Sequence, residues 1–453
     1  MTSDMQDVFR SMSEQRKLWA GAQLASHQDL SALFAVRACE LYLRKGGHFA
    51  FVLPNAAIDR EHYAGFRTGI YGGQGGVLTV AFSPSWDLRR IRPHFFPRAA
   101  SVVFGAKTEY ANQQVEEIPS PTAQGMPEEI EIWTGKLDSI NASWMAASKW
   151  LTRKPGKVRH VGQLTKSPYA PFFTQGATFV PRVAFVVSEK ASSPLGISQG
   201  RVAVQSLRSV QEKKPWKNLP DLSGVVETEF VRPFFTGDNV YPFRVGKPML
   251  AVIPCDKTAL LGQESIDLNP GLQQWWSQAT ELWEGNRAND GMSLSERLDY
   301  QSTLSKQLPI SPLRVVYNRS GMHICAAKLR NRRAIVANGL YWASVGSEDE
   351  ADYICAFLNA PATTDLTRPM MSYGKDERDI HKHVWELPIP MFDAGNAIHR
   401  RIAELGAGAE KLIAEYEIDL SLHFAATRRH IRDAVLSTAD GFELNELVFE
   451  TLS

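Results

Sequence analysis

The densest run of basic side chains lies in the last third of the sequence, where six residues carry four cations: Lys328, Arg330, Arg332 and Arg333. Ammonium and guanidinium groups bind the phosphates of nucleic-acid backbones. The run, with Asn318 and Arg319 shortly before it, is therefore a candidate phosphate-contacting edge. A charged hairpin turn that keeps a sheet edge from pairing with another chain explains the run nearly as well. Both interpretations stay open.

A second group of arginines lies in the first quarter of the chain, within the segment SPSWDLRRIRPHFFPRA: Arg89, Arg90, Arg92 and Arg98. Beside a binding face, these arginines would hold the phosphates of a bound strand. In a solvated loop they would instead pair with Asp87 or cover a sheet edge. The sequence favours neither role over the other.

The elements that position these residues begin with the stretch from Asp29 to Ile58. Its apolar residues first follow helical spacing, with Asp29 as predicted N-cap and Lys45 near the C-terminus. The continuous apolar run Phe49–Leu53 then predicts a strand buried on both faces. Helix, glycine turn and strand together predict one αβ unit of a parallel sheet.

Further elements follow in order along the first quarter. Residues 59–70 predict a second amphipathic helix, and the glycines of residues 72–76 predict a flexible loop without a phosphate-binding frame. The segments Val77–Phe82 and Ala100–Phe104 predict two strands that flank the arginine-rich connection.

The amino-acid sequence of this region resembles that of one enzyme family. The segments LFAVRACELYLRKGGHFAFVLPNAAI and HYAGFR, up to about Lys107, are similar to the second half of the catalytic domain of adenine-N6 DNA methyltransferases. The likeness is to the large restriction-modification and phage-defence members. It implies a tyrosine and an arginine on the helix after the strand, here Tyr63 and Arg67, and a sheet closed by a hairpin.

The motifs on which methyl transfer depends are not found in the sequence. Such enzymes need a glycine-rich loop for S-adenosylmethionine and a [DNS]PP[YFW] loop that holds the flipped base. Ser83-Pro84-Ser85-Trp86 lacks the second proline, and only 28 residues precede Asp29. We therefore expect no catalytic or cofactor-binding residue here. Both sites are expected on a partner protein that carries the N-terminal half of the domain.

A later region resembles the target-recognition part of the same methylases. There, a QGAT…PR segment precedes a GDN…PF segment, and the likeness here rests on these residues: Thr174, Gln175, Gly237, Asp238, Asn239 and Arg244. It implies base or backbone contacts by Gln175, Asn239 and Arg244, since these side chain types read base edges. An ordinary hairpin with Gly-Asp-Asn in a tight turn is the alternative.

Three further patterns complete the second half. Tryptophans at helical spacing (Trp275, Trp276 and Trp283) predict core, and DEADYICAFLNAP predicts a helix packed under strands. The ELPIP segment around Leu387 resembles the end of recognition domains in type I specificity subunits, and its prolines predict a rigid hinge. Residues 396–434 then predict a long helix. Three histidines (His381, His383 and His399) are too irregularly spaced for a metal site.

Composition sets the remaining bounds. The chain has 453 residues, 44% of them hydrophobic, and a formal net charge of +1, so any DNA site must be a local patch. No apolar run approaches the roughly 20 residues of a membrane span, and no signal peptide is evident. Four scattered cysteines predict neither disulfides nor zinc. We expect a cytoplasmic protein.

Together these patterns predict an α/β half-domain (a partial Rossmann-like methyltransferase sheet), then a mixed α+β target-recognition domain and a helical C-terminal tail. The predicted bounds are 1–110 for the half-domain, 111–131 for a linker, 132–392 for the recognition domain and 393–453 for the tail. The predicted function is the DNA-recognition part of a split adenine-N6 methyltransferase, inactive until a partner completes it, with double-stranded DNA as ligand. The alternative is a non-catalytic DNA-binding or assembly module of a defence complex.

Overall fold

The chain divides into two compact units in a computed structural model. The first comprises Met1–Thr165 and Pro369–Glu377, and the second comprises Lys166–Arg368 and Arg378–Ser453. The structure describes residues 3–18, 30–60, 63–73, 75–92, 100–108, 125–139, 141–158, 166–190, 198–209, 212–287, 291–368, 380–417 and 422–452.

The first unit combines one sheet with short helices. Its helices are α1 (Ser3–Gln15), α2 (Ser31–Tyr42), α3 (Ala56–Asp59), α4 (Ala64–Arg67) and α5 (Trp144–Ala147). Its strands are β1 (His48–Pro54), β2 (Ile70–Gly73), β3 (Gly76–Arg92), β4 (Ala100–Thr108), β5 (Glu129–Lys136) and β6 (Thr152–Lys157).

The strands of this unit pair in the order β1-β4-β3-β5-β6, and β2 pairs with β3. β4 runs antiparallel to both of its neighbours, so β1 and β3 are parallel to each other, and β5 is parallel to β3. Among the described residues β1 pairs only with β4 and forms the edge of the sheet. The predicted strand is therefore present, but its predicted burial on both faces is wrong, because Ala50 and Val52 are exposed.

One face of the sheet carries the core of the unit. Leu53, Val80 and Val103 pack there against α2 through Leu33, Val36 and other apolar residues. α2 ends at Tyr42, where the Lys107 ammonium donates to the carbonyls of Cys39, Glu40 and Leu43 at 2.8–3.1 Å. A cation at this position satisfies carbonyls that have no partner within the helix.

Three local predictions differ from the structure. The N-cap of α2 is Leu30, and Asp29 lies outside the described residues. Residues 59–70 form no single helix, since α3 ends at Asp59, α4 spans four residues and Ile70 begins β2. The glycines form a tight hairpin in which Gly73 pairs with Gly76.

Ser83-Pro84-Ser85-Trp86 lies at a bulge in β3, a position that tolerates a proline without an N–H.

The second unit contains more strands than the first. They are β7 (Thr174–Gln175), β8 (Val186–Glu189), β9 (Arg201–Ser206), β10 (Ser223–Glu227), β11 (Val231–Phe235), β12 (Val240–Tyr241), β13 (Arg244–Val245), β14 (Met249–Val252), β15 (Arg314–Asn318), β16 (Ala326–Leu329), β17 (Ile335–Val336) and β18 (Leu340–Ser344). Its helices are α6 (Arg182–Phe185), α7 (Gln263–Asp267), α8 (Pro270–Asn286), α9 (Leu294–Leu298), α10 (Glu348–Asn359), α11 (Pro361–Thr367), α12 (Ala397–Glu415), α13 (Phe424–Leu436) and α14 (Ala439–Leu452).

Two larger sheets organise the described part of this unit, and β12 and β13 form a third, two-stranded sheet. One larger sheet has the order β10-β9-β8-β14-β11-β17, and the other has the order β16-β15-β18-β7. The tryptophans of α8 are core, as predicted: Trp275 is 1% exposed, and its indole N–H donates to the Ala184 carbonyl at 3.0 Å. α10 packs on β15 and β16, as predicted, and the Asn359 amide bonds both backbone groups of Ala326 at 2.9 Å.

The C-terminal region is helical, but the prediction of one helix over residues 396–434 is wrong. α12 ends at Glu415, and α13 and α14 follow as separate helices. Leu387 and Ile389 of the ELPIP segment are buried in the second unit, where the Ser167 hydroxyl donates to the Ile389 carbonyl at 2.7 Å.

The unit boundary also differs from the sequence-based one. β5 and β6 hydrogen-bond within the sheet of the first unit, which therefore continues to Thr165. The mixed α/β content and the helical C-terminus agree with the predicted class. The Rossmann-like half-domain stays a prediction.

Candidate nucleic-acid interface

Of the candidate arginines in the first unit, Arg89 is held by neighbouring acids. The Arg89 guanidinium donates to both carboxylate oxygens of Asp87 at 2.7–3.0 Å and lies 3.7 Å from Asp59. Arg89 is therefore positioned by the sheet, in keeping with the alternative of pairing to Asp87. Arg90 is exposed on β3; Arg92 ends the strand, and Arg98 lies outside the described residues.

Buried polar groups cluster behind the C-terminal end of β1. The Asn55 amide donates to Asp59 at 3.0 Å, and the Arg67 guanidinium donates to the Arg60 carbonyl at 2.6 Å. Burial raises the pKa of Asp59 against the opposing charge of Arg89, and burial lowers the pKa of Arg67 to about 10. Tyr63 is also buried, with its hydroxyl 2.8 Å from that of Ser31. The two residues implied by the family resemblance thus belong to the core of this unit.

The predicted base-reading residues of the second unit make local structural contacts. Asn239 forms a capping box with Thr236, and its amide donates to the Lys247 carbonyl at 3.0 Å. Thr236 to Asn239 is thus a tight turn, the alternative considered for Gly237 and Asp238. Gln175 lies on β7 after Thr174, half-buried and paired with Tyr341.

Arg244 and Asn318 stabilise neighbouring backbone. The Arg244 guanidinium donates to the carbonyls of Ile413 and Tyr416 at 3.1 and 2.8 Å, at the C-terminus of α12. Asn318 is 1% exposed and bonds the backbone of Ser320, His323 and Cys325, which closes the turn between β15 and β16.

The densest basic run is largely neutralised by acids. Lys328 lies 2.6 Å from Asp352, 3.1 Å from Glu348 and 2.8 Å from Glu410, with its side chain only 4% exposed. The Arg330 guanidinium bridges Glu348 and Glu410 at 2.7–3.2 Å, and these bonds raise its pKa. This ion-pair network joins β16 to α10 and α12.

The other members of the run differ from one another. The Arg333 guanidinium donates to the Thr228 and Val231 carbonyls at 2.8 and 3.1 Å. Arg332 is exposed, and Arg319 is half-buried. The guanidinium groups of these two arginines have no hydrogen bond or ion pair within the described part of the chain. Of the candidates in and just before this run, Arg332 and Arg319 therefore have guanidinium groups that are available to bind a ligand.

A cationic surface that the sequence analysis missed lies on α13 and beside it. α13 carries Arg428, Arg429, His430 and Arg432. Arg368 follows α11 and contacts the turn between β15 and β16, where its guanidinium lies 3.1 Å from the His323 imidazole. The signal was the spacing of Arg428, Arg429 and Arg432 within TRRHIR, which the apolar pattern of the predicted long helix obscured.

Other kinds of site find little support. In the residues that the structure describes, no group of three His, Cys, Asp or Glu side chains could hold a metal ion. His381 stacks on Tyr341, and His383 and His399 bond elsewhere. The four cysteines are buried and free. No described helix is long and apolar enough to span a membrane.

The fold is similar to that of one restriction-modification enzyme, the type IIL enzyme MmeI, whose structure was determined in complex with DNA. The alignment covers 100% of this chain and 52% of MmeI, with a TM-score of 0.53 and 12% sequence identity. A second neighbour is the type IIG restriction endonuclease BpuSI; that alignment covers 99% of this chain and 52% of BpuSI, with a TM-score of 0.29 and 10% identity.

The chain thus spans about half the length of each of these two enzymes. No family model matches the sequence, and no curated protein matches it significantly. The likeness to a restriction-modification enzyme is one of fold alone, and it rests on MmeI. The assignment to adenine-N6 methyltransferases stays a prediction.

Proposed function

We propose that this chain is the DNA-recognition portion of a restriction-modification-type enzyme, with double-stranded DNA as its ligand. The observation that carries the proposal is the fold match, over the whole chain, with half of an enzyme solved in complex with DNA. The near-neutral net charge requires that contacts come from local cationic surfaces. A gel-retardation assay with duplex DNA tests this proposal directly. No retention at low salt would contradict it.

The finer proposal is that the first unit forms half of an adenine-N6 methyltransferase sheet. Its support is the strand order β1-β4-β3 with β4 antiparallel, which suits a parallel sheet closed by an antiparallel hairpin. β1 has no second neighbour among the described residues. Its outer edge leaves backbone donors and acceptors for another strand. A partner protein would add the missing strands there, together with the S-adenosylmethionine site and the catalytic loop.

In the completed enzyme, the target adenine would be flipped out of the duplex, and a cofactor held by the partner protein would supply the methyl group. The role of this chain would be to hold the DNA and position the target base. We assign no catalytic residue and no cofactor-binding residue to it.

Calorimetry with S-adenosylmethionine tests the finer proposal. We expect binding only when the chain is mixed with a partner that carries the glycine-rich and [DNS]PP[YFW] loops. Binding by the chain alone would contradict the assignment of the cofactor site to the partner. DNA retention without cofactor binding in the mixture would leave the non-catalytic recognition module as the function.

A further inference from the structure

Two cationic side chains and one imidazole lie near one another in the second unit: Arg368 contacts His323, and the charge of Arg432 acts on the same ring. His323 lies in the turn between β15 and β16, Arg368 follows α11, and Arg432 lies on α13. The Arg368 guanidinium is 3.1 Å from His323 Nε2 and 3.4 Å from the Met322 carbonyl. Three separate elements thus form this cluster, and in the described part of the chain it is joined by one ion pair to an acid, that of Arg368 with Asp365. Of the nearest acids, Asp365 holds the outer nitrogen of Arg368 at 3.3 Å, and Asp433 lies next to Arg432 in the chain.

The hydrogen bond between Arg368 and His323 fixes the tautomer of the imidazole. A guanidinium only donates, so His323 Nε2 accepts, and the ring proton of the neutral form lies on Nδ1. Burial and the charges of Arg432 and Arg368 lower the pKa of His323 to about 4, so the ring is neutral at pH 7. Nδ1–H is then a buried donor without an acceptor in the described part of the chain.

A second buried donor shares this condition, and Arg432 adds a further cation nearby. Arg368 Nε is buried and has no acceptor among the described residues. The Arg432 guanidinium is half-buried and has no hydrogen bond or ion pair there either. Burial lowers the pKa of Arg432, and Arg428 and Arg368 act in the same direction. By contrast, the neighbouring Arg428 is satisfied by the carbonyls of Gly237 and Val240.

Unsatisfied buried donors and neighbouring like charges are costly unless a ligand completes them. Every orphan in this cluster donates, so the missing group must accept several hydrogen bonds and carry negative charge. A phosphate does both, and arginine pairs with it well. We propose that His323, Arg368 and Arg432 form a binding site for a backbone phosphate of DNA. This assignment rests on the proposed DNA-recognition function. Exposed Arg429 and His430 extend the cationic surface along α13.

The test compares the salt dependence of DNA binding by the full chain and its variants. Fluorescence anisotropy with a labelled duplex gives the affinity at several KCl concentrations. Arg432→Gln and Arg368→Gln should each lower the affinity about tenfold and reduce the slope of log K against log salt by about 0.9. Arg432→Lys should restore most of the slope, because it keeps the charge.

The matched control is Arg401→Gln. Arg401 is an exposed arginine on α12 that pairs with Glu443 at 2.7 Å, so the substitution changes net charge equally and should leave the slope unchanged. Because Arg432 has no partner among the described residues and lies beside like charges, Arg432→Gln should not lower the urea midpoint. A loss of DNA affinity that accompanied unfolding would therefore contradict the site.

The outcomes separate this site from the proposed function. Equal slopes for the wild type and both glutamine variants would overturn the site while DNA recognition stood. If the wild type bound no DNA, the proposed function and the DNA assignment of the site would both fall. Inorganic phosphate provides a second probe: it should raise the melting temperature of the wild type more than that of Arg432→Gln, and equal rises would exclude an anion site here.

Discussion

At the residue scale, Lys328 shows how a basic run can serve the fold. Lys328→Met should lower the free energy of unfolding by about 3 kcal/mol, because it leaves the buried Asp352 carboxylate without its ammonium partner. Urea denaturation measures this change. Arg332→Gln is the control: its exposed guanidinium has no partner among the described residues, so the cost should stay within about 0.5 kcal/mol. A stable Lys328→Met variant with weaker DNA binding would instead support a phosphate contact at Lys328.

The protonation of His323 gives a second prediction at this scale. Its pKa falls to about 4 in the folded chain, from a usual value of 6.5, so the unfolded chain binds the proton first as pH drops. Stability should therefore be unaffected above about pH 7 and fall between about pH 6.5 and 4, by about 1 kcal/mol after allowance for partial exposure. His323→Gln should remove this part of the pH dependence. Identical pH profiles for the wild type and the variant would contradict the tautomer and burial assigned to His323.

At the element scale, the C-terminus of α12 depends on a side chain far away in sequence. Arg244→Gln should lower the free energy of unfolding by about 1–2 kcal/mol, because the carbonyls of Ile413 and Tyr416 lose a charged donor. Lys411→Gln, near the same helix end, should cost less than about 0.5 kcal/mol because Lys411 is exposed. Equal costs would show that charge near the helix end, rather than the specific hydrogen bonds, stabilises α12.

The same scale shows what the sequence could predict. Local patterns located β1, α8 and α10, since the spacing of apolar residues depends on each element alone. The break between α12 and α13 was missed because an apolar period can continue across two helices that pack on one core. Burial of β1 was overestimated because an apolar run does not reveal whether a strand lies at an edge.

The candidate site was less predictable for a related reason. Counting cations in a short window identified Lys328 and Arg330, but the acids that hold them lie 18 to 80 residues away on α10 and α12. The cluster of His323, Arg368 and Arg432 is equally non-local, because three elements bring it together. Residue types indicated which side chains could bind phosphate, and tertiary contacts determined which of those side chains have no acidic partner.

At the scale of the whole molecule, the open edge of β1 predicts the behaviour of the isolated chain. Val52 on this strand is 52% exposed, and Phe34 and Tyr42 on α2 are 69% and 83% exposed. An apolar strand edge beside exposed aromatic side chains favours association with another chain. We expect the chain alone to self-associate as its concentration rises, and sedimentation velocity measures this directly.

Two lysine variants locate the surface that causes this association. Val52→Lys should reduce it, because a charged side chain on an edge strand opposes further strand pairing. Val225→Lys makes the same change on β10, at the edge of a sheet in the second unit, where the valine is 38% exposed. This control should associate like the wild type, and an equal reduction in both would assign the effect to net charge.

A wild-type chain that stayed monomeric at high concentration would argue against β1 as the place where missing strands add. Suppression by Val52→Lys alone would identify that edge as the partner surface, and the same variant should then weaken assembly with the partner that supplies the cofactor loop.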